Sequence, residues 1–210
     1  MTRMRIINRI LVTVAAVAAA SCGDVVRSGR APVFLVIDSL QASRGGPTTG
    51  TFTSTLSSDV LTLVTTPAPC TTDNPCPTIF GDSGQASLRL SPKDIGPVGA
   101  PTTPSSNNEV TITRIHISYR RTDGRNTPGV DVPFAFDTAS TATVPAASAV
   151  TIGFPLVRNT AKEESPLVQL VTNGIIVSTI ADVTFYGRDQ VGNDISATGS
   201  IGIAFGNFGD

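Results

Sequence analysis

The chain has 210 residues, of which 40% are hydrophobic and only 15% charged, against an ordinary charged share of about 25%. It has no Trp, one His, 28 Thr and 34 Gly plus Pro, a balance that favours strands joined by turns over a helix-rich fold. A formal net charge of -1 excludes the broad basic field that nucleic-acid binding requires.

Residues 1–21 read as an export address. Arg3, Arg5 and Arg9 precede an uncharged apolar run from Ile10 to Ala20, and Ser21-Cys22 follows. A positive start, a short apolar stretch and small residues at the cleavage point make a secretory signal peptide. The run is eleven residues long, short of the about 20 that a membrane-spanning helix needs. Ala18-Ala19-Ala20 suits ordinary signal peptidase. Ala19-Ala20-Ser21-Cys22 resembles the lipobox of bacterial lipoproteins, with Ala19 where Leu is usual. That resemblance implies that Cys22 is lipidated and heads the mature chain, which is then held to the bacterial membrane. By the same resemblance, Gly23 after the Cys, in place of Asp, favours the outer membrane. Loss of residues 1–21 leaves 12 basic and 16 acidic side chains, so the mature chain is mildly acidic. Residues 22–32 then form the lipidated Cys and its tether. The ten residues from Gly23 to Pro32 span at most ~35 Å, which keeps the folded part, 33–210, close to the bilayer.

Strand signals begin at once. Val33 to Leu40 is an apolar run, Val60 to Val64 a short alternating one, and Ser43 to Thr49 between them a Gly-rich loop. Cys70 and Cys76 lie in a Pro-rich loop. An exported chain meets an oxidising compartment, so these two cysteines are expected to form a disulfide. Closing seven residues contributes about 2.4 kcal/mol by chain entropy. With no His nearby the pair lacks the ligands of a zinc site.

Gly81-Asp82-Ser83-Gly84 resembles the nucleophile segment of chymotrypsin-like proteases, and Phe80 to Ser83 the first block of the GDSL esterases. Either resemblance implies a hydrolase using Ser83. A serine nucleophile needs a base, nearly always His. His116 follows Ser83 in the chain, the reverse of the protease order, and residue 113 is Thr where the esterase block needs Asp. The segment is therefore expected to be a turn leading into the alternating strand from Ala86 to Leu90.

Val110 to Tyr119 alternates, but Val110 and Ile112 have one parity and Ile115, Ile117 and Tyr119 the other. A one-residue slip exchanges the two faces of a strand, so a bulge is expected near Thr113-Arg114. Arg114, His116 and Arg120 then share the polar face, with Arg121 and Arg125 just beyond. These residues are the candidate binding group for an anionic partner, although such charges also solvate exposed faces. Val132 to Phe136 and Ala149 to Val157 are further strands, and Pro97 to Asn108 and Thr138 to Ser148 are loops. Ser165-Pro166 opens a helix of at most two turns before Asn173-Gly174. Ile175 to Tyr186 and Asp194 to Phe208 are the longest strands. In the second, every odd residue from Ile195 to Phe205 is apolar or small. Gly192-Asn193 suits the tight turn of an antiparallel hairpin.

Phe185 to Asn193, with the alternating strand after it, resembles the last hairpin of bacterial immunoglobulin-like domains. The resemblance implies an immunoglobulin-like antiparallel β-sandwich with long loops, all-β in class. The expected function is that of a non-enzymatic, lipid-anchored cell-envelope protein, an adhesion, scaffold or protein-protein contact module. Its partners are the bilayer and another envelope protein or glycan. A surface glycan-binding module is the alternative, and a hydrolase using Ser83 the less favoured one. No catalytic residue, metal ligand or cofactor is assigned.

Overall fold

The computed structural model describes residues 29–48 and 50–209. Among the described residues eleven strands carry the fold: β1 (Val33–Ser43), β2 (Thr55–Asp59), β3 (Thr62–Val64), β4 (Cys76–Thr78), β5 (Asp82–Pro92), β6 (Val110–Arg120), β7 (Phe136–Ala139), β8 (Thr143–Val144), β9 (Val150–Val157), β10 (Val177–Asp189) and β11 (Asp194–Gly206). Two short helices, α1 (Asn159–Glu163) and α2 (Leu170–Asn173), lie between β9 and β10. A 3-10 turn at Leu167–Gln169 leads into α2.

The strands make a β-sandwich. One sheet has the order β1-β5-β9, and the other β2-β11-β10-β6-β7, with β8 also on β6. Alternation decides the inner faces. Ala86, Leu88 and Leu90 of β5 and Ile152, Phe154 and Leu156 of β9 meet Ile115, Ile117, Val183, Phe185, Ile201 and Phe205 in one buried cluster. Phe154 and Phe185 pack edge to face across it, ring centroids 5.6 Å apart. Placing β1, β5 and β9 opposite β6, β10 and β11 matches strands A, B and E facing C, F and G of an immunoglobulin sandwich. The expectation of purely antiparallel sheets needs one correction. β2 runs parallel to β11, because the chain turns back after β1 and then ascends again along the edge of the opposite sheet.

The bulge in β6 lies where the change of parity requires it. Tyr186 faces Arg114, Gly187 faces Ile112, and Thr113 is the extra residue. Gly187 permits the close approach, since a Cβ there would stand 2.8 Å from the Thr111 carbonyl oxygen. The β10–β11 hairpin turns through Gly192 at φ +94°. Asp189 closes the turn by accepting hydrogen bonds from the N–H groups of Val191 and Asn193 and from the Asn193 side-chain amide.

Several elements differ from the sequence expectation. Asp82 to Gly84, expected to be a turn, is the start of β5, where it pairs with β1 and β9. Val132 to Phe136 is mostly irregular, following a turn over residues 127–131, and the strand starts only at Phe136. Pro133 lacks an N–H, and the Asp131 N–H donates back to the Thr127 carbonyl, so the backbone is committed to a local turn. Thr143–Val144 pairs with β6 inside the stretch expected to be a loop, because Val144 fills the core. Finally, α1 was not expected.

Candidate interaction surfaces

The β1 start, the β5 end and the β10–β11 hairpin share one end of the sandwich: the registers set the ends within each sheet, and one groove is lined by residues of both. We call this the near end, because the chain enters the fold there. The opposite, far end carries the ends of β1, β2, β9 and β11, the starts of β5 and β10, and both helices. Cys22 lies outside the described residues. Cys70 and Cys76 are bonded, their Cα atoms 5.3 Å apart, and the short β3–β4 ladder holds the base of their loop.

The basic candidates lie on or beside the outer face of the six-stranded sheet, each with an acid. Arg114 Nη1 and His116 Nδ1 both reach Asp137 Oδ1, at 3.3 and 3.0 Å. Arg120 Nε donates to Asp182 Oδ2 at 2.6 Å, and Ser200 also donates to Asp182. Burial would raise the Asp182 carboxyl, but the bonds from Arg120 and Ser200 outweigh it and hold the group below its ordinary range. Arg121 leaves this row and joins Arg125 on Asp123, whose carboxyl those bonds hold well below its usual range. The structure thus brings Arg114 and His116 together on one carboxylate and separates Arg120 and Arg121 from them. Cross-strand pairing of opposite charge accounts for most of this basic group.

Arg114 has a second contact. Its guanidinium lies 4.0 Å from the Tyr186 ring centroid. Tyr186 lines a near-end groove of about 720 Å3 with Phe34, Lys93, Arg114, Arg188 and Ile195. Lys93 Nζ sits 5.3 Å from the centroid of the Phe34 ring. The groove therefore presents two aromatic rings, each with a cation over it.

The far end holds a charge network that periodicity did not reveal. Lys162 of α1 is 1% exposed. Its ammonium donates to Asp82 Oδ1 at 3.0 Å and to the Asp59 carbonyl at 2.8 Å, and lies 2.9 Å from Asp82 Oδ2. Asp82 also accepts from Ser58 Oγ and from the Gly45 N–H. Arg44 Nη2 stands 2.9 Å from Asp59 Oδ2. Burial pulls the Lys162 ammonium below its ordinary range, and Asp82 opposes that pull. The network joins β2 of one sheet, β5 of the other and α1. Its members are 80 and 103 residues apart in the chain, a distance that no local pattern can signal.

Over this base lies a cap from α1 to the start of β10, with Val168, Ile175 and Ile176 each between 43% and 58% exposed. Beside it, Phe52, Phe80, Ser83, Pro155 and Arg158 line an open hollow of about 940 Å3. Ser83 is exposed on the outer side of the three-stranded sheet, whereas His116 projects from the outer face of the other sheet on β6. The two side chains therefore leave the sandwich through opposite faces, and Asp82, between Gly81 and Ser83, points inward to Lys162. Among the described residues no group of three or more His, Cys, Asp or Glu is placed to hold a metal ion. No helix of the described residues is long and apolar enough to cross a membrane. Comparison with protein-family models, with curated proteins and with solved structures finds no match to this chain.

Proposed function

We propose that this chain is a lipid-anchored protein of the bacterial cell envelope, without enzymatic activity, whose sandwich serves as an adhesion or scaffold module through its far end. The observation that carries this reading is the exposed apolar cap of Val168, Ile175 and Ile176 on a base pinned by the Lys162–Asp82 pair. Exposed apolar side chains on an ordered support suit contact with another protein. The signal-like N-terminus and the lipobox-like Ala19 to Cys22 supply the anchoring half of the reading, and the outer membrane is its favoured site.

The test has two arms. Incorporation of labelled palmitate should be lost in Cys22→Ser, and its presence in that variant would sink the anchor. A photo-crosslinking residue in place of Ile176 should give one discrete adduct in cells. Val168→Asp with Ile175→Asp should abolish that adduct. An adduct that survives the change, or none at all, would sink the far-end contact.

A glycan-binding module is the second reading. The near-end groove favours it, because the Phe34 and Tyr186 rings line it and Lys93 brings a positive charge for a phosphate-bearing sugar, while Arg114 and Arg188 are paired with Asp137 and Asp194. Binding of the purified protein to an envelope polysaccharide, weakened by Tyr186→Ala, would favour it over the first.

A further inference from the structure

The near end carries its own exposed apolar side chains. Val191 at the hairpin tip is 72% exposed. Ile95 is 74% exposed, Val98 is fully exposed, and both follow β5. Phe34 at the start of β1 is 55% exposed. Phe34 itself lines the near-end groove. Ile95 and Val98 follow Lys93, and Val191 lies between Arg188 and Asp194; Lys93, Arg188 and Asp194 also line it, so the segments that carry these side chains issue from one end. The nearby charges balance. Arg30, Lys93, Arg114 and Arg188 stand against Asp94, Glu109, Asp189 and Asp194, with Arg114 paired to Asp137 and Arg188 to Asp194. Asp94 accepts from the Gly96 N–H within its own loop. Nothing here makes a strong field of one sign, so the apolar tips dominate what this end can do.

The point of chain entry decides what faces it. β1 begins at Val33, eleven residues after Cys22. A lipid on Cys22 therefore keeps the near end within ~40 Å of the bilayer surface. A short tether also raises the local concentration of surface and domain to the mM range, so a weak apolar contact suffices to orient the domain. We propose that the near end is a membrane-docking face. Ile95, Val98 and Val191 enter the interfacial region of the bilayer, and Phe34 lies at headgroup level with Lys93 and Arg188 beside the lipid phosphates. This inference rests on the lipid-anchor reading for its geometry. Its consequence is that the far-end cap points away from the membrane.

The test uses the mature chain from Cys22 onward. Cys22 is its one free thiol, because Cys70 and Cys76 are bonded to each other. The thiol is coupled to a maleimide lipid in nanodiscs of phosphatidylethanolamine and phosphatidylglycerol that contain a gadolinium-chelating lipid. Methyl resonances of Ile95, Val98 and Val191 should broaden several-fold more than those of Val168, Ile175 and Ile176. In Val98→Asp with Val191→Asp the tether is unchanged, and Ile95 should lose most of its excess broadening. Equal broadening at both ends would overturn the proposal. So would an excess at Ile95 that the double substitution leaves intact, since the tether alone would then account for it. The coupling is chemical, so a failure of palmitate labelling in cells would strike the anchor reading and leave this measurement standing.

Discussion

Lys162 shows what one residue contributes here. Its ammonium is buried, donates to Asp82 Oδ1 and to the Asp59 carbonyl and pairs with Asp82 Oδ2, and the Asp82 carboxylate it faces is equally dry. Such a pair adds little net stability over an apolar substitute, but removing one partner leaves a buried, uncompensated charge. Lys162→Met should therefore cost about 3–5 kcal/mol, read as a lower urea midpoint at pH 7 with an unchanged slope. Asp82→Asn in the same chain keeps an acceptor for Gly45 and removes the stranded charge. The double variant should fall well short of the sum of the two single losses. Additive losses would mean that the two groups do not act as a pair. The residue was invisible beforehand because a Lys in Asn-Thr-Ala-Lys reads as surface, and its partners come from strands far away in the chain. Cys70 and Cys76 were legible for the opposite reason: both partners lie within one short loop.

At the scale of elements, the β10–β11 hairpin and its neighbour β6 were the most legible parts. Both long strands alternate, the Gly192-Asn193 turn stands between them, and the change of parity in β6 located its bulge. Asp189 belongs to the same turn. It is 4% exposed, and it acts as the clasp of the turn. Asp189→Ala should leave the two N–H groups and the Asn193 amide without that acceptor and cost about 1–3 kcal/mol. Hydrogen exchange at Val191 and Asn193 should speed up markedly while amides in the middle of β10 keep their protection. Unchanged exchange at the tip would show that the carboxylate does not hold the turn. The short elements were the least legible. β2 is Thr-Leu-Ser-Ser-Asp, with one apolar side chain, and it is a strand because the β11 edge supplies its hydrogen bonds.

For the whole molecule, a single apolar cluster runs between the two sheets, and the far-end charge network ties β2, β5 and α1 together beneath it. Such a body should unfold in one cooperative step. Tyr119 is the natural probe. It points into the core, its hydroxyl donates to the Leu156 carbonyl at 2.6 Å, and burial pushes its phenol well above the ordinary range. Tyrosine fluorescence and far-UV circular dichroism should give the same urea midpoint, and two separated midpoints would mean two independently stable parts. By itself the sequence determined the all-β class, the long strands, the bulge and the disulfide. Each of these depends on alternation, on turn residues or on neighbours in the chain. Only the tertiary structure decided which strands face each other and that β2 runs parallel. It also decided that Ser83 and His116 point away from each other, that the basic row is already paired with acids, and that Lys162, Asp82 and Asp59 meet in the interior. Those outcomes depend on contacts between residues tens to more than a hundred positions apart, where local periodicity carries no signal.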